Sequence, residues 1–239
     1  MTNAPHSEDR PDSPEEAVLP APEDRSHDGD DAEPRPSGDA ALAAAIERSL
    51  SPQGTTALNI GDTTPLPIAS DTANLRLGPG LDDANLSLLP LVGVWRGEGR
   101  LHTPDEVPDR VFGQQLTISH DGRGFLRHES ILWLLEGDGT ALAAEREVGW
   151  WRPQPDGVIE LVLAHADGVV EVFYGAAQTL ASWQLGTDAV VRTTSAPPVT
   201  GATRLYGIVD AKLAYVDERA TTEHPLRPYA SALLERSAG

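Results

Sequence analysis

The sequence contains no cysteine, which excludes disulfides, thiolate metal sites and cysteine nucleophiles and fits a reducing compartment. Cationic side chains are also scarce: 18 Lys and Arg stand against 37 Asp and Glu, a net charge of −19, and Lys212 is the only lysine. Sequence-independent binding to nucleic acid requires clustered Lys and Arg, and so does adhesion to an anionic membrane surface. Neither nucleic acid nor membrane is therefore an expected partner.

Long apolar runs are missing as well. No stretch of the chain approaches the roughly 18 apolar residues that a membrane-spanning helix needs. The first ten residues, Met1 to Arg10, lack the basic start and apolar run of a secretory signal. We expect a cytoplasmic protein.

Aromatic residues are absent from residues 1–84. Residues 1–80 hold 15 acidic and 5 basic side chains, a net of 5 − 15 = −10. An acidic, proline-rich segment without aromatics cannot bury enough apolar surface to offset its chain entropy. We predict a disordered tail over residues 1–84, with a transient alanine-rich helix over residues 39–50 that starts at Asp39. A docking motif for a partner is the alternative interpretation of that helix.

The remaining 239 − 84 = 155 residues, 85–239, alternate apolar and polar side chains with period 2, the pattern of half-buried strands. Val158 to His165 is one example, and it ends at the hairpin signal Ala166-Asp167-Gly168. Nine or ten such segments are separated by Gly- and Asp-rich turns, with no convincing long helix. Many short strands in hairpin order predict an all-β, up-and-down antiparallel barrel of about ten strands, with room for one small ligand.

The segment Gly93-Val-Trp95-Arg-Gly97-Glu-Gly99 fits the pattern Gly-x-Trp-x-Gly-x-Gly that opens the barrel of the nitrobindin family. Alternate glycines let another backbone or a ligand approach one strand face closely, and Trp95 would plug one end of the barrel. The segments 112–123, 149–155, 160–165, 204–207 and 225–236 also resemble the actinobacterial branch of the family, in order. The resemblance covers nearly all of residues 85–239 and none of the tail.

Nitrobindins are similar to fatty-acid-binding proteins in shape and hold ferric haem at the open end of the barrel. They are credited with converting peroxynitrite to nitrate. Their iron is bound by one histidine in a closing segment of the form Pro-Leu-x-x-His-Leu-x-Ala-x-Leu-x-Arg. Here Pro225, Leu226, Ala232, Leu234 and Arg236 match that segment. The resemblance also implies that the segment is the last strand, although its propensity favours a helix.

The histidine of that segment falls on Tyr229 in this sequence. Tyrosinate binds ferric haem in catalases, but a phenol of pKa about 10 needs a nearby cation or the metal to become a phenolate. Arg227, two residues away, lies on the same face of an extended strand. The alternative interpretation is that Tyr229 is an ordinary barrel residue and that the haem site has decayed.

No other residue replaces the missing ligand on sequence grounds. His224 lies five residues before Tyr229, so in an extended strand it is displaced by roughly 16 Å and points to the other face. His120 and His165 lie beside Asp-Gly turns, where solvated or turn-bonded roles are expected, and mid-strand His128 is expected to be a satisfied interior residue. The sequence shows no Gly-x-Ser-x-Gly elbow and no histidine pair with metal-site spacing. We therefore assign no catalytic residue and no metal site.

Three hypotheses for function remain. The first is a nitrobindin-like barrel with impaired or absent haem binding that holds, at most, a small apolar ligand. The second is a working ferric haem protein with peroxynitrite isomerase activity that uses Tyr229 as ligand. The third is an interaction module that acts through its acidic tail.

Overall fold

The computed structural model describes residues 37–49, 66–102 and 109–239. Ten antiparallel strands form one closed barrel in chain order, with β1 paired to both β2 and β10. This confirms the predicted all-β barrel. The strands are β1 Gly93–Leu101, β2 Arg110–Ser119, β3 Leu126–Leu135, β4 Ala141–Pro153, β5 Val158–His165, β6 Val169–Thr179, β7 Ser182–Arg192, β8 Val199–Val209, β9 Lys212–Thr221 and β10 Arg227–Ala238.

The barrel closes where β1 pairs with β10, and the glycines of β1 lie at this seam. A Cβ atom added to Gly97 would lie 2.5 Å from the carbonyl oxygen of Leu233, and one on Gly99 would meet the Phe112 ring. These glycines therefore admit the neighbouring strand and a packed ring. The closing segment is a strand despite its helix propensity, because its backbone groups complete this seam.

A 3₁₀ helix, Asp83–Leu91, closes the end of the barrel at which β1 begins. Trp95 is fully buried, and its indole Nε1 donates to the Leu91 carbonyl at 2.8 Å. The indole of Trp183 donates to the Ser87 carbonyl at 2.9 Å. Each tryptophan thus brings apolar area to the closed end, and its indole N–H is satisfied by a carbonyl of the helix.

Residues before the first strand also make contacts with the barrel. The chain forms two compact units, Met1–Thr64 and Pro65–Gly239. Within the second unit, Thr72 and His120 exchange two backbone hydrogen bonds of 2.8 and 2.9 Å. The Asp82 carboxylate caps the 3₁₀ helix by accepting from the Ala84 N–H at 2.9 Å. The segment that includes Thr72 and Asp82 therefore packs on the barrel, and the predicted boundary at residue 84 stays a prediction.

In the first unit, helix α1 spans Gly38–Ser49, close to the predicted helix over residues 39–50, and it exposes Leu42 and Ile46. Most of the predicted disordered tail, residues 1–36 and 50–65, lies outside the described residues. The hypothesis of an interaction module that acts through this tail therefore stays a prediction. Neither helix in the described ranges has the length and apolar character to cross a bilayer.

Candidate functional site at the barrel mouth

The end of the barrel opposite the 3₁₀ helix opens into a cavity of about 420 Å³, which we call the mouth cavity. Because β1 runs from the helix to Leu101, the cavity lies at the far rim, where residues of β1, β2, β4, β8, β9 and β10 line it. Its walls combine apolar and charged side chains. They are Leu101, His102, Arg110, Glu145, Asp167, Pro197, Val199, Arg219, Thr221, Arg227, Pro228 and Tyr229.

Tyr229 lies in the mouth cavity because β10 bulges at this residue. Pro228 pairs with Glu218 and Ala230 with Asp217, which leaves Tyr229 as the extra residue between two consecutive partners. A β-bulge re-aims the side chain it carries. Strict alternation cannot give this orientation, so only the folded register reveals it.

The Tyr229 side chain is held by two charged groups. Its hydroxyl donates a short hydrogen bond to the Glu145 carboxylate, and the Arg219 guanidinium lies over its ring at 3.7 Å from the centroid. Burial raises the pKa of the Tyr229 phenol well above its usual value, and the attraction of Arg219 does not overcome this. The phenol is therefore protonated at neutral pH. Arg227, the predicted neighbour, lines the same cavity, but the cation on the ring is Arg219.

His102 is a mouth residue that sequence reasoning missed. Its backbone N–H donates to the Tyr229 carbonyl at 2.7 Å. Its ring nitrogens lie 3.1 Å from the Asp109 carboxylate and 3.2 Å from the Ser231 hydroxyl. The feature of the sequence that could have pointed to His102 is its position directly after the first strand, which pairs with the closing strand that carries Tyr229.

Below the mouth, the upper barrel interior holds an interior charge cluster that the sequence did not predict. We define it as Glu147, Glu171, Arg204 and Asp217 with the imidazoles of His128 and His165. Arg204 binds both oxygens of Glu147 at 3.0 and 2.9 Å, and it lies 3.6 Å from Asp217. Alternation correctly points these side chains inward, but only the closed barrel brings β3, β4, β5, β6, β8 and β9 together around them.

The cluster contains three carboxylates and one guanidinium group. The pKa is lowered for two of the carboxylates and raised for the third. Burial alone would raise the pKa of Glu147, but Arg204 and His128 hold it well below its ordinary value. His165 and Arg204 likewise lower the pKa of Glu171. The pKa of Asp217 is raised, because burial outweighs the attraction of Arg204 and Arg219.

An internal cavity of about 30 Å³ lies between the cluster and Tyr229. Asp217 Oδ1, Arg204 Nε and Arg219 Nε are buried and have no hydrogen-bond partner among the described residues. All three residues line this cavity, which is large enough for about two waters. This internal cavity therefore has room only for molecules of the size of water, whereas the mouth cavity above it has room for a small organic ligand.

The predicted histidines separate into three environments. His128 is fully buried and satisfied, since it contacts Glu147 at 2.9 Å and accepts from the Trp151 indole at 3.2 Å. The expectation of solvated or turn-bonded roles for His165 and His120 was wrong: His165 binds Glu171 at 2.9 Å inside the barrel, and His120 is 1% exposed beneath the Thr72 segment. His224 is exposed and does not line the mouth cavity. Across the described ranges, no three His, Asp or Glu side chains are placed to hold a metal ion.

Comparison with known proteins gives matches over the barrel. Residues 84–236 match the family described as "THAP4-like, heme-binding beta-barrel domain". The "Ferric nitrobindin-like protein" of Saccharopolyspora erythraea is 51% identical over 207 residues, which cover 86% of this chain and 96% of that protein. "Peroxynitrite isomerase 2" of Rhodococcus jostii is 51% identical over 215 residues, 86% of this chain and 99% of that protein.

A solved structure shows the same architecture. The crystal structure of Rv2717c from M. tuberculosis superimposes with a TM-score of 0.59 at 26% identity. The match covers 66% of this chain and 99% of that one.

Proposed function

Because the chain belongs to the nitrobindin family of haem-binding β-barrels, we propose that Tyr229 occupies the family's axial-histidine position and that haem binding is impaired. The barrel then serves as a binding protein for a small ligand at its mouth. The observation that carries this proposal is the state of Tyr229, a protonated phenol that donates to Glu145.

The mouth residues do not fit a haem iron in the usual way. A histidine offers the iron a neutral nitrogen lone pair, whereas a phenol must first lose its proton. The Tyr229 proton is engaged by Glu145, and a negative charge on the phenolate would face that carboxylate at hydrogen-bond distance. Ligation by Tyr229 thus requires both a deprotonation that burial opposes and the displacement of Glu145.

Arg219 is the feature that favours the competing hypothesis of a tyrosinate-ligated haem. A guanidinium over a phenol ring stabilises the phenolate. However, Arg219 also lies 3.7 Å from Glu145 and 3.4 Å from Asp217, so its charge is already shared with two carboxylates. Impaired ligation therefore remains the better-supported proposal.

His102 offers the other imidazole in the mouth cavity. Both of its nitrogens are engaged, with Asp109 and Ser231, so neither is free to meet an iron without rearrangement. It is accordingly a control in the experiment below and not a proposed ligand.

The mouth cavity supports binding of a small, partly apolar molecule. Its volume of about 420 Å³ lies within the range of small-molecule sites. Leu101, Pro197, Val199 and Pro228 supply apolar walls, while charged groups surround the entrance. Relatives are named peroxynitrite isomerases, and we propose that this chain lacks their haem-dependent activity. The cytoplasmic location stays a prediction from the sequence.

Haem titration of the purified protein, followed by absorbance, tests the proposal. We expect a colourless protein that binds added ferric haem weakly, and Tyr229→His should bind it much more tightly with a histidine-ligated ferric spectrum. Tyr229→Phe should leave the weak binding of the wild type unchanged.

Two results would contradict the proposal. Stoichiometric haem that is lost in Tyr229→Phe would make Tyr229 a true ligand. A histidine-type spectrum of the wild type that disappears in His102→Ala would assign ligation to His102.

A further inference from the structure

The basic side chains of the mouth cavity come from one side of the barrel. They lie on, or directly after, four strands that are neighbours in the closed sheet, β9, β10, β1 and β2. We call these four residues the basic arc: Arg219, Arg227, His102 and Arg110. The two carboxylates of the cavity wall come from strands outside this group, Glu145 from β4 and Asp167 from the turn between β5 and β6. The charges of the cavity are therefore separated by sign.

The basic arc contains a like-charged pair. Arg227 of β10 lies directly opposite Arg219 of β9 in the strand register, and both side chains line the cavity. Like charges directly opposite one another on neighbouring strands are destabilising. Arg219 shares its charge with Glu145 and Asp217, at 3.7 and 3.4 Å. Arg227 is exposed, and no carboxylate of the described residues lies within 4.0 Å of it.

The other two members of the basic arc have partners outside the cavity wall. Arg110 pairs with Glu136 at 2.7 Å, and His102 lies 3.1 Å from the carboxylate of Asp109. Neither of these carboxylates lines the cavity. Within the described part of the chain, the positive charge that faces the cavity without a counter-charge is therefore that of Arg227.

Apolar wall lies next to this charge. Pro228 follows Arg227 directly on β10, and Leu101 ends β1, the strand that pairs with β10. Pro197 and Val199 add apolar surface from the start of β8. A guanidinium is a planar group that donates two parallel hydrogen bonds to a carboxylate. The wall thus offers an apolar surface and a carboxylate-binding group side by side.

We propose that the ligand of the mouth cavity is a small organic anion, with an apolar body and one carboxylate that pairs with Arg227. This inference rests on the proposed function of the mouth cavity as a small-ligand site. A carboxylate at Arg227 offsets the repulsion between the two opposed arginines, which a neutral ligand cannot do. It leaves the hydroxyl of Tyr229 on Glu145, so binding requires no rearrangement of that pair.

Two matched fluorescent probes test the proposal on the full chain. Dansylglycine carries a naphthalene ring system and a carboxylate, and its primary amide has the same shape without the charge. We expect dansylglycine to bind more tightly in fluorescence titrations, although a chain of net charge −19 repels anions in general.

Substitutions of Arg227 locate the effect. Arg227→Gln should weaken dansylglycine binding at least about fivefold, the effect of losing one exposed ion pair. It should leave the affinity for the amide within about twofold, and Arg227→Lys, which keeps the charge, should retain most of the affinity for dansylglycine. The matched control is Arg96→Gln, which removes the same charge from an exposed β1 position outside the cavity and should change neither affinity.

Thermal melting without ligand gives a second measurement. Since Arg227 opposes Arg219, Arg227→Gln should not lower the melting temperature, and a clear decrease would contradict the like-charged pair. Equal affinities of the wild type for the two probes would overturn the inference and leave the small-ligand site standing. Equal losses in Arg227→Gln and Arg96→Gln would overturn it as well, since they would reflect the overall charge. Binding of neither probe would overturn both the inference and the small-ligand site.

Discussion

The two ends of this barrel are built on opposite principles. At the closed end, Trp95 and Trp183 are fully buried beside Leu88 and Leu91 of the 3₁₀ helix, and both indole N–H groups have partners. Toward the mouth, the same circle of strands encloses the interior charge cluster. Buried polar atoms without a hydrogen-bond partner occur in both halves, but those of charged side chains, on Glu171, Arg204, Asp217 and Arg219, belong to the mouth half. The closed end stabilises the fold through apolar burial. In the mouth half, each buried charge needs an opposite charge or a hydrogen bond to offset its loss of hydration.

This difference indicates that the mouth half of the barrel carries the function. Buried charges rarely add net stability compared with apolar residues of similar size, so their presence near a cavity points to a binding role. Tyr229, which we propose stands at the axial-histidine position of the family, lies in that half.

The largest expected effect concerns the charged half. Arg204→Leu should lower the free energy of unfolding at pH 7 by about 3–5 kcal/mol, because it leaves Glu147 and nearby carboxylates buried without their cation. The pKa of Glu147 is lowered in the folded protein, so its contribution is present above its unfolded pKa and lost as pH falls through the folded value. In Arg204→Leu this dependence on pH should weaken. The loss of unfolding free energy relative to the wild type should therefore be smaller at pH 5 than at pH 7. Urea unfolding at both pH values measures this, and an equal loss at both would contradict it.

The apolar half should respond to a loss of volume instead. Trp95→Ala should cost about 3–5 kcal/mol, the usual range for a buried large aromatic. The cost should be independent of pH between 5 and 7, since no charge is uncovered. Leu205→Ala, at a 48% exposed position, is the control and should stay within about 0.5 kcal/mol. A loss below 1 kcal/mol for Trp95→Ala would show that the helix and strands collapse to fill the space.

Truncation should separate the barrel from the rest of the chain. Removal of residues 1–64 should leave the melting temperature of the barrel nearly unchanged. Removal of residues 1–82 deletes the two backbone hydrogen bonds between Thr72 and His120 and the Asp82 cap, at about 1–3 kcal/mol. If both truncations had the same effect, the segment from residue 66 to residue 82 would not belong to the folded unit.

The smallest effect per residue should appear at alkaline pH and only in the mouth half. Burial raises the pKa of Tyr206 to about 12, and it also raises the pKa values of Tyr215 and Tyr229. A raised pKa means that stability is intact below the unfolded value near 10 and is lost as pH rises through the folded value. Tyr206→Phe should therefore reduce the loss of stability between pH 9 and 11 by about 1 kcal/mol. An unchanged slope in denaturation at these pH values would argue against a buried, protonated Tyr206.

Much of the fold was predictable because alternation and turn residues act locally. Val158 to His165 reads as a strand from its own side chains, and Gly168 marks its turn in the sequence and in the structure. The pairing of the segment around Thr72 with His120 was not predictable, since that segment has no strand pattern and His120 is distant in sequence.

The site was predictable only in part, for the same reason. The sequence by itself determined an antiparallel barrel of about ten strands and the presence of a phenol at position 229, because period 2 and residue identity are local properties. Only the tertiary structure decided that Glu145 from β4 and Arg219 from β9 meet at Tyr229. Their meeting depends on barrel closure and on the bulge at Tyr229, and both are set by pairing between strands that are remote in the chain.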